Sequence, residues 1–200
     1  NWIFLIYLIF SFLNRGVLAN ENERLRKANF FNNWENCVNL YVEISNDKVL
    51  IKQNKEQWQE SCFAAIDNGE KYFPESRSLP YLYEIIGWYS WQLSGIEKDG
   101  SRIVESENYY LKAKKKYEFL RDNNIANNKH GWILAIRSIN NNIARLMSKF
   151  DIEKSFLYLD KNEKLYLQNN DIKKPLYNQN VYYKRTKNYQ EVSENKRFDD

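Results

Sequence analysis

The feature that most constrains this chain is a pair of helical patterns that fills residues 78–122. Each half carries one stripe of apolar or small residues at steps of three and four, the spacing that lines one face of an α-helix. A short polar turn, EKDGSRI, lies between the halves. Neither helix could bury its stripe alone, so we expect the two to pack on each other and on neighbours. The stripe residues are Leu79, Leu82, Ile86, Tyr89 and Leu93 in the first half and Ile103, Ser106, Tyr110, Ala113, Tyr117 and Leu120 in the second.

The composition also favours helices. The 200 residues include six Gly and three Pro, too few for the closely spaced turns of an all-β fold. A hydrophobic content of 43% is too high for a disordered chain, and the length suits one domain with a real core. We therefore predict an all-α fold.

Five more segments show helical periodicity. Pro74 ends the second of them, because proline cannot extend a helix and disfavours helix in the residue before it. The segments are residues 21–44, 48–73, 132–150, 151–167 and 176–186, the last opened by Pro175. The predicted inward residues are Leu25, Ala28, Phe31, Trp34, Val38 and Tyr41 in the first segment, and Ile152, Phe156, Leu159 and Tyr166 in the fourth.

The N-terminal residues have the pattern of a targeting segment. Residues 2–13 are almost entirely apolar, and Val17 and Ala19 occupy the two small-residue positions of a cleavage site. This pattern predicts that residues 1–19 are a secretory signal peptide. An uncleaved membrane anchor is the alternative, although Arg15 stops the run short of the roughly 20 apolar residues that a spanning helix needs.

The two cysteines, Cys37 and Cys62, fall on successive predicted helices. If these helices turn back near residues 45–48, residue 37 faces the region of residue 57. An offset of five residues is roughly 7 Å along a helix axis, too far for easy disulfide geometry. We therefore expect two buried free thiols in preference to a disulfide.

Small and large residues recur at fixed spacings along these segments. Tyr83, Ile86 and Gly87 are spaced as W-x-x-L-G. After the turn, a second set is spaced as A-x-x-x-F-x-x-A: Ser106, Tyr110 and Ala113. Parts of the same pattern recur in residues 62–74 and 139–165, and a half-finished unit occupies 176–192. These residues resemble the tetratricopeptide repeat family, in a degenerate form with a longer central turn.

The resemblance covers about residues 30–192 and implies antiparallel helix hairpins stacked as a short α-solenoid. In such a stack, small side chains let paired helices approach while large ones fill the gap beside them. It divides the chain into residues 1–19, a repeat domain at 20–192 and a polar tail at 193–200. A non-repeating helical bundle is the structural alternative.

No combination of residues predicts catalysis, a metal site or a cofactor site. The glycines are isolated, so the sequence has no phosphate-binding loop. The single His, His130, lies in a polar connection, where we interpret it as a solvated turn residue. The lysines within residues 112–116 spread around more than half of a helix, which favours a solvated face over a nucleic-acid patch. We therefore predict a protein that is not an enzyme.

The resemblance also implies a binding surface, because in the family the first helix of each hairpin lines a concave groove for a peptide or protein segment. Aromatic residues with hydrogen-bonding neighbours are the mix expected of such a surface, although Trp88 could instead pack between hairpins. The eight candidates are Tyr81, Glu84, Trp88, Asn141, Arg145, Ser148, Tyr177 and Lys184.

These inferences predict an exported, non-enzymatic helical-repeat scaffold, periplasmic or extracellular, that binds a protein or peptide partner and no nucleic acid. The alternative is a membrane-anchored structural module of an envelope assembly. That alternative requires residues 1–19 to remain uncleaved, and only then is a membrane among the partners.

Overall fold

The computed structural model describes the backbone of residues 2–45 and 47–167 and the side chains of residues 21–45 and 47–165. All regular structure within these residues is helical, which confirms the predicted all-α class. The chain divides into two compact units between Arg102 and Ile103. The helices are α1 (Trp2–Ile44), α2 (Lys48–Gln53), α3 (Lys55–Tyr72), α4 (Leu79–Glu97), α5 (Ser101–Asp122), α6 (Lys129–Met147) and α7 (Ile152–Leu167).

Several helices begin at residues that favour a helix start, as the sequence suggests. The Asp47 carboxylate accepts hydrogen bonds from the backbone N–H groups of Val49 and Leu50 and so caps α2. Asp151 caps α7 in the same way through the N–H of Lys154. Pro80 lies in the first turn of α4, where its missing N–H costs no hydrogen bond.

The prediction of one helix over residues 48–73 is wrong, because Asn54 divides it into α2 and α3. The Asn54 backbone leaves helical geometry, with φ −98° and ψ 14°, and its side-chain amide donates to the Leu50 carbonyl at 3.0 Å. An Asn side chain competes in this way with the backbone hydrogen bonds of a continuing helix. The short α2 therefore belongs to the connection between α1 and α3.

In the first unit, α1 and α3 run antiparallel and are joined by a disulfide between Cys37 and Cys62. The expectation of two free thiols is therefore wrong. Cys37 lies seven residues before Ile44, the last residue of α1, and Cys62 lies seven residues after Lys55, the first residue of α3. The two cysteines are level because the chain reverses across a connection that includes α2, and their Cα atoms are 4.9 Å apart.

The predicted inward face of α1 is also wrong by about one residue. Leu25 and Phe31 are 58% and 44% exposed, and Ala28 is exposed. Trp34, Val38 and Tyr41 are half-buried. The fully buried residues of α1, among those whose side chains are described, are Phe30, Cys37 and Ile44.

The stripes of α4 and α5, in contrast, are confirmed. All eleven residues assigned to them from the spacing are buried, and nine of the eleven are no more than 2% exposed. The remaining two, Ile103 and Tyr117, are 7% and 6% exposed. The prediction that α4 and α5 pack on each other is not confirmed, because α4 packs on α1, α2 and α3 within the first unit.

Gly69 marks the closest approach of helices in the first unit. A Cβ atom at this position would lie 2.8 Å from the Leu79 side chain on α4 and 2.8 Å from the Phe30 ring on α1. Only glycine therefore fits without a shift of these neighbours. The repeat resemblance assigns a small residue to this position for the same physical reason.

In the second unit, α6 and α7 run antiparallel, and polar side chains connect them. The Asn140 amide donates to the Asn162 Oδ1 at 2.8 Å, and the Ser155 hydroxyl donates to the Ala144 carbonyl at 2.8 Å. On α7 these polar residues and Tyr158 are buried, whereas the predicted inward residues Ile152, Phe156 and Leu159 are half-buried. The predicted Tyr166 side chain lies outside the described residues.

α5 is held in the second unit by contacts with both of these helices. The Tyr117 ring stacks near the Trp132 indole of α6, with ring centroids 5.9 Å apart. The Lys154 ammonium of α7 lies 2.6 Å from a carboxylate oxygen of Glu107, which is only 8% exposed.

The connection between α5 and α6 contains Asn residues with a local structural role. Asn124 and Asn127 have φ values of 49° and 50°, in the left-handed region that Asn tolerates better than most residues. The Asn124 amide also donates to the Asn127 Oδ1 at 3.0 Å.

Two predictions concern the ends of the chain. The backbone of α1 is helical from Trp2, through the segment predicted as a signal peptide. Among the residues whose side chains are described, no helix contains a stretch long and apolar enough to cross a membrane. The predicted helix at 176–186 and the polar tail at 193–200 lie outside the described residues.

Candidate functional site

The accessible side of α4 is a narrow strip. From Leu79 to Ser90 every residue is buried except Tyr81, Glu84 and Trp88. These three residues are separated by three and four positions, so they lie on one face of the helix. Tyr81 is 36% exposed, and Glu84 and Trp88 are half-buried. The strip therefore coincides with the three candidates that the repeat resemblance assigns to this helix.

A residue of α1 extends this strip. The Tyr41 ring packs edge to face with the Trp88 indole, with centroids 4.9 Å apart and planes at 86°. Tyr41 is itself half-buried. We refer to Tyr41, Tyr81, Glu84 and Trp88 as the aromatic strip. Sequence reasoning missed Tyr41 because it was assigned to the inward face of α1.

The buried faces of α4 pack against α2 and α3. The Tyr89 ring stacks on the Trp58 indole of α3 with centroids 3.7 Å apart, and its hydroxyl donates to the Ile51 carbonyl in α2. The Tyr83 hydroxyl donates to the Glu70 carboxylate of α3. Burial, together with the negative charge of Glu97, raises the pKa of Tyr89 to about 12. These contacts fix the rotation of α4 and hence the direction in which the strip faces.

The strip contains polar groups and one acidic side chain. Burial raises the pKa of the Tyr41 phenol, and the nearby Tyr81 and Glu84 raise it further. Burial also raises the pKa of Tyr81, again with a contribution from the Glu84 carboxylate. Both hydroxyls therefore remain protonated at neutral pH. The strip combines two aromatic hydroxyl donors, an indole and one carboxylate.

The candidates on α6 have different environments. The Asn141 Oδ1 accepts a hydrogen bond of 2.6 Å from the Asn162 amide, so this side chain helps to join α6 to α7. The Ser148 hydroxyl donates to the backbone carbonyl of Arg145 at 2.8 Å. Arg145 is exposed, and among these three candidates it has the side chain best placed to meet a partner.

The remaining two candidates, Tyr177 and Lys184, lie outside the described residues. Of the eight, the structure thus brings together Tyr81, Glu84 and Trp88 in the first unit.

An open depression of about 580 Å³ follows the outer face of α5. Its lining includes Tyr109 and Lys112, whose ammonium group lies 5.2 Å from the centre of the Tyr109 ring. The lysines of this helix do not share one face. Lys112 and Lys115 are exposed, whereas Lys114 and Lys116 are half-buried, and burial lowers the pKa of Lys114.

Side chains that could bind a metal ion do not cluster among the described residues. Among residues 21–45 and 47–165, no three His, Cys, Asp or Glu side chains lie close enough together to hold a metal ion. His130 is exposed, in the first turn of α6 and not in the preceding connection as its sequence context predicts.

The sequence matches no family model, and neither a curated protein nor a solved structure is significantly similar to it.

Proposed function

We propose that this protein is an exported, non-enzymatic helical-repeat scaffold that binds a protein or peptide partner through the aromatic strip. The observation that carries the proposal is the strip itself. Buried residues surround Tyr81, Glu84 and Trp88 on α4, and Tyr41 joins them from α1. Aromatic side chains with polar tips, held on a rigid helix, are common energetic centres of protein interfaces.

The disulfide supports export. Cys37 and Cys62 are both fully buried and covalently joined. Structural disulfides form and persist in oxidising compartments and are rare in reducing ones. The apolar run and small residues of the segment 1–19 suggest the same route.

The repeat architecture is supported by helix pairing and by the placement of small residues. α1 pairs with α3 and α6 pairs with α7, each pair antiparallel. Gly69 and Ala113, small residues in the repeat spacing, are both buried. By the tetratricopeptide resemblance, α4 would be the first helix of a hairpin, and in that family the first helix of each hairpin lines the binding groove.

Site-specific crosslinking tests this function directly. A photoreactive phenylalanine analogue would replace Tyr81, with a matched control at Val49, which is 62% exposed on α2. Both proteins would be irradiated with the extracytoplasmic fraction of the native cells. We expect a discrete crosslinked product from position 81 only, and its loss when Trp88→Ala is added.

Two further variants control this experiment. Phe31→Ala removes an exposed aromatic ring from the same unit and should leave the crosslinked product intact. Circular dichroism would verify that Trp88→Ala retains its helices. Identical products from positions 81 and 49, or a product that persists in folded Trp88→Ala, would contradict the proposal.

One observation favours the membrane-anchored module as a second candidate. α1 is a continuous helix from Trp2 to Ile44, so an uncleaved N-terminal segment would extend rigidly from the helix that carries Cys37. The intact mass of the protein in membranes washed with high salt separates the two candidates. A mass beginning at Asn20 in a soluble fraction supports export, and a mass retaining residues 2–13 in membranes supports the anchor.

A further inference from the structure

We infer that thiol–disulfide exchange at Cys37 and Cys62 takes place only while α1 and α3 are separated, so that the packing of the first unit controls how fast this disulfide forms and breaks. The inference concerns the redox chemistry of the fold and holds whichever partner the aromatic strip binds. It follows from the burial of both cysteines, their position within the helix pair and the close packing around them.

The two cysteines are enclosed by other buried residues. Cys37 and Cys62 are both 0% exposed. One helical turn from Cys62 on either side, Trp58 and Ala65 are 1% and 0% exposed. α4 packs on both α1 and α3. A reagent in solution is therefore kept from both cysteines while these helices are packed.

The disulfide is also far from the ends of the helices that it joins. Cys37 lies seven residues before Ile44, the last residue of α1, which is about 10 Å along the helix axis. Cys62 lies ten residues before Tyr72, the last residue of α3, which is about 15 Å. Fraying is confined to the ends of a helix, so it leaves both cysteines covered. Their exposure requires α1 to separate from α3.

The packing between these helices has no room for a reagent. Gly69 follows Cys62 by two helical turns, and a Cβ atom there would lie 2.8 Å from the side chains of Leu79 and Phe30. Phe30, two turns before Cys37 on α1, is only 1% exposed. A contact that is too close for one methyl group does not admit a thiol, because protein interiors are packed as densely as organic crystals.

Exchange requires an external sulfur in contact with the bond. A reagent thiolate attacks one cysteine sulfur, the S–S bond breaks and the other cysteine leaves as a thiolate, which gives a mixed disulfide. A second thiol of the reagent then displaces the protein sulfur. The dithiol reagent loses two electrons, and the departing cysteine thiolates take up the two protons that its thiols release. Oxidation by the disulfide form of such a reagent follows these steps in reverse, so both directions require the open unit.

Dithiothreitol is the probe for this inference. The oxidised protein would be incubated with it, quenched in acid and alkylated with N-ethylmaleimide in urea, and mass spectrometry would count the alkylated cysteines over time. We expect the folded protein to be reduced about a hundredfold or more slowly than the protein unfolded in urea, because opening of a packed core is a rare event.

Two matched pairs of variants identify the opening that is needed. Gly69→Ala overpacks the first unit and should speed reduction about fivefold to a hundredfold, whereas Gly95→Ala, where a methyl group meets no atom within 4 Å, should not speed it. Ile66→Val removes a methyl group from the buried face of α3 and should speed reduction about twofold to tenfold. Ile133→Val makes the same change in α6 of the second unit and should have no effect, although the two residues are similarly buried, at 6% and 4% exposure.

Two results would overturn the inference. One is a folded protein that is reduced as fast as the unfolded one, and the other is an equal rate in Ile66→Val and Ile133→Val. If Gly69→Ala does not fold, the isoleucine pair still decides the question. Crosslinking at position 81 tests the proposed function separately, because these rates do not depend on a partner.

Discussion

The two compact units are stabilised by different kinds of interaction. In the first, a disulfide joins α1 to α3, and stacked or edge-to-face aromatic rings join both helices to α4. In the second, hydrogen-bonded Asn and Ser side chains join α6 to α7, and the ion pair of Glu107 with Lys154 joins α5 to α7.

This difference has a physical consequence for each unit. A disulfide and packed aromatic rings join the helices of the first unit without a cluster of buried amides. A buried amide cluster requires each donor and acceptor to be matched, because an unpaired buried polar group is costly. The second unit therefore depends more than the first on an intact polar network.

The largest expected effect comes from removal of the disulfide. Replacing Cys37 and Cys62 together by Ser should lower the free energy of unfolding of the first unit by about 3 kcal/mol, since a closed loop no longer restricts the unfolded chain. Urea titration, with hydrogen exchange followed separately in α1 and α3 and in α6 and α7, measures this change. Equal losses of protection in both helix pairs would contradict the assignment of the effect to the first unit.

The amide cluster provides the corresponding test in the second unit. The Asn162 amide donates to the Arg137 carbonyl at 3.0 Å and to Asn141 at 2.6 Å, and its Oδ1 accepts from Asn140. Asn162→Leu keeps the branched shape but leaves the buried Asn140 amide without its acceptor. We expect a loss of about 2–3 kcal/mol in urea titration.

A double variant sharpens this prediction. Replacing Asn140 and Asn162 together by Leu removes both partners, so the free energy of unfolding should return toward the wild-type value. The Asn140 Oδ1 has no hydrogen-bond partner among the described residues, which also favours its replacement. A double variant less stable than Asn162→Leu alone would show that the cluster contributes net stability that an apolar pair cannot replace.

Two glycines test the tight packing of the first unit. Gly69→Ala should destabilise it by about 1–3 kcal/mol, because the new methyl group would overlap Leu79 and Phe30. Gly95→Ala is the matched control, since a methyl group there would meet no atom within 4 Å and the φ of Gly95 is negative. That change should stabilise α4 by about 0.5 kcal/mol. Thermal unfolding compares the pair, and changes of the same sign would contradict the close approach at Gly69.

The smallest effects should appear at opposite ends of the pH range. In the first unit, a hydrogen bond from Lys55 lowers the pKa of Glu97 below 4.5, and the two groups are 2.8 Å apart. The stability from this pair is present above pH 4.5 and is lost as the pH falls through the lowered pKa. Glu97→Gln removes this pair, so the free energy of unfolding should fall less at acid pH than in the wild type, with a difference of less than about 1 kcal/mol. Urea titration at a series of pH values measures this difference.

The ion pair of the second unit should respond to alkali. A hydrogen bond to Glu107 raises the pKa of Lys154 above 10.5. Its contribution is complete below pH 10.5 and is lost as the pH rises through the raised pKa. Lys154→Gln should remove that alkaline loss, again less than about 1 kcal/mol for a partly exposed pair. An alkaline loss as large in Lys154→Gln as in the wild type would contradict this assignment.

The accuracy of the sequence predictions varies with how clearly the apolar residues of each helix fall on one face. The stripes of α4 and α5 were predicted correctly because the apolar residues recur at helical spacing over several turns. α1 has apolar residues on more than one side. Their spacing therefore also fits an inward face through Leu25 and Phe31, although Phe30 and Cys37 are the residues that face the core. Local periodicity does not distinguish two registers that differ by one residue.

The candidate site was predicted in part. Tyr81, Glu84 and Trp88 share one helix face by spacing alone, and the structure places them on the accessible side of α4. Tyr41 was not predicted, because the contact of α1 with α4 depends on packing between helices that are distant in the sequence. Asn141 shares its helix face with Arg145, yet only the structure shows it bonded to Asn162.

By itself, the sequence determined the helical class, most helix ends and the apolar stripes of the two central helices, since these follow from propensity, capping and periodicity within about twenty residues. Tertiary structure alone decided that Cys37 meets Cys62, that Gly69 lies between two helices and that Tyr41 meets Trp88. Each of these contacts depends on where the chain reverses and how far one helix is rotated against another. The connection between α1 and α3 includes α2, which ends at Asn54, and local spacing does not predict how that connection aligns Cys37 with Cys62.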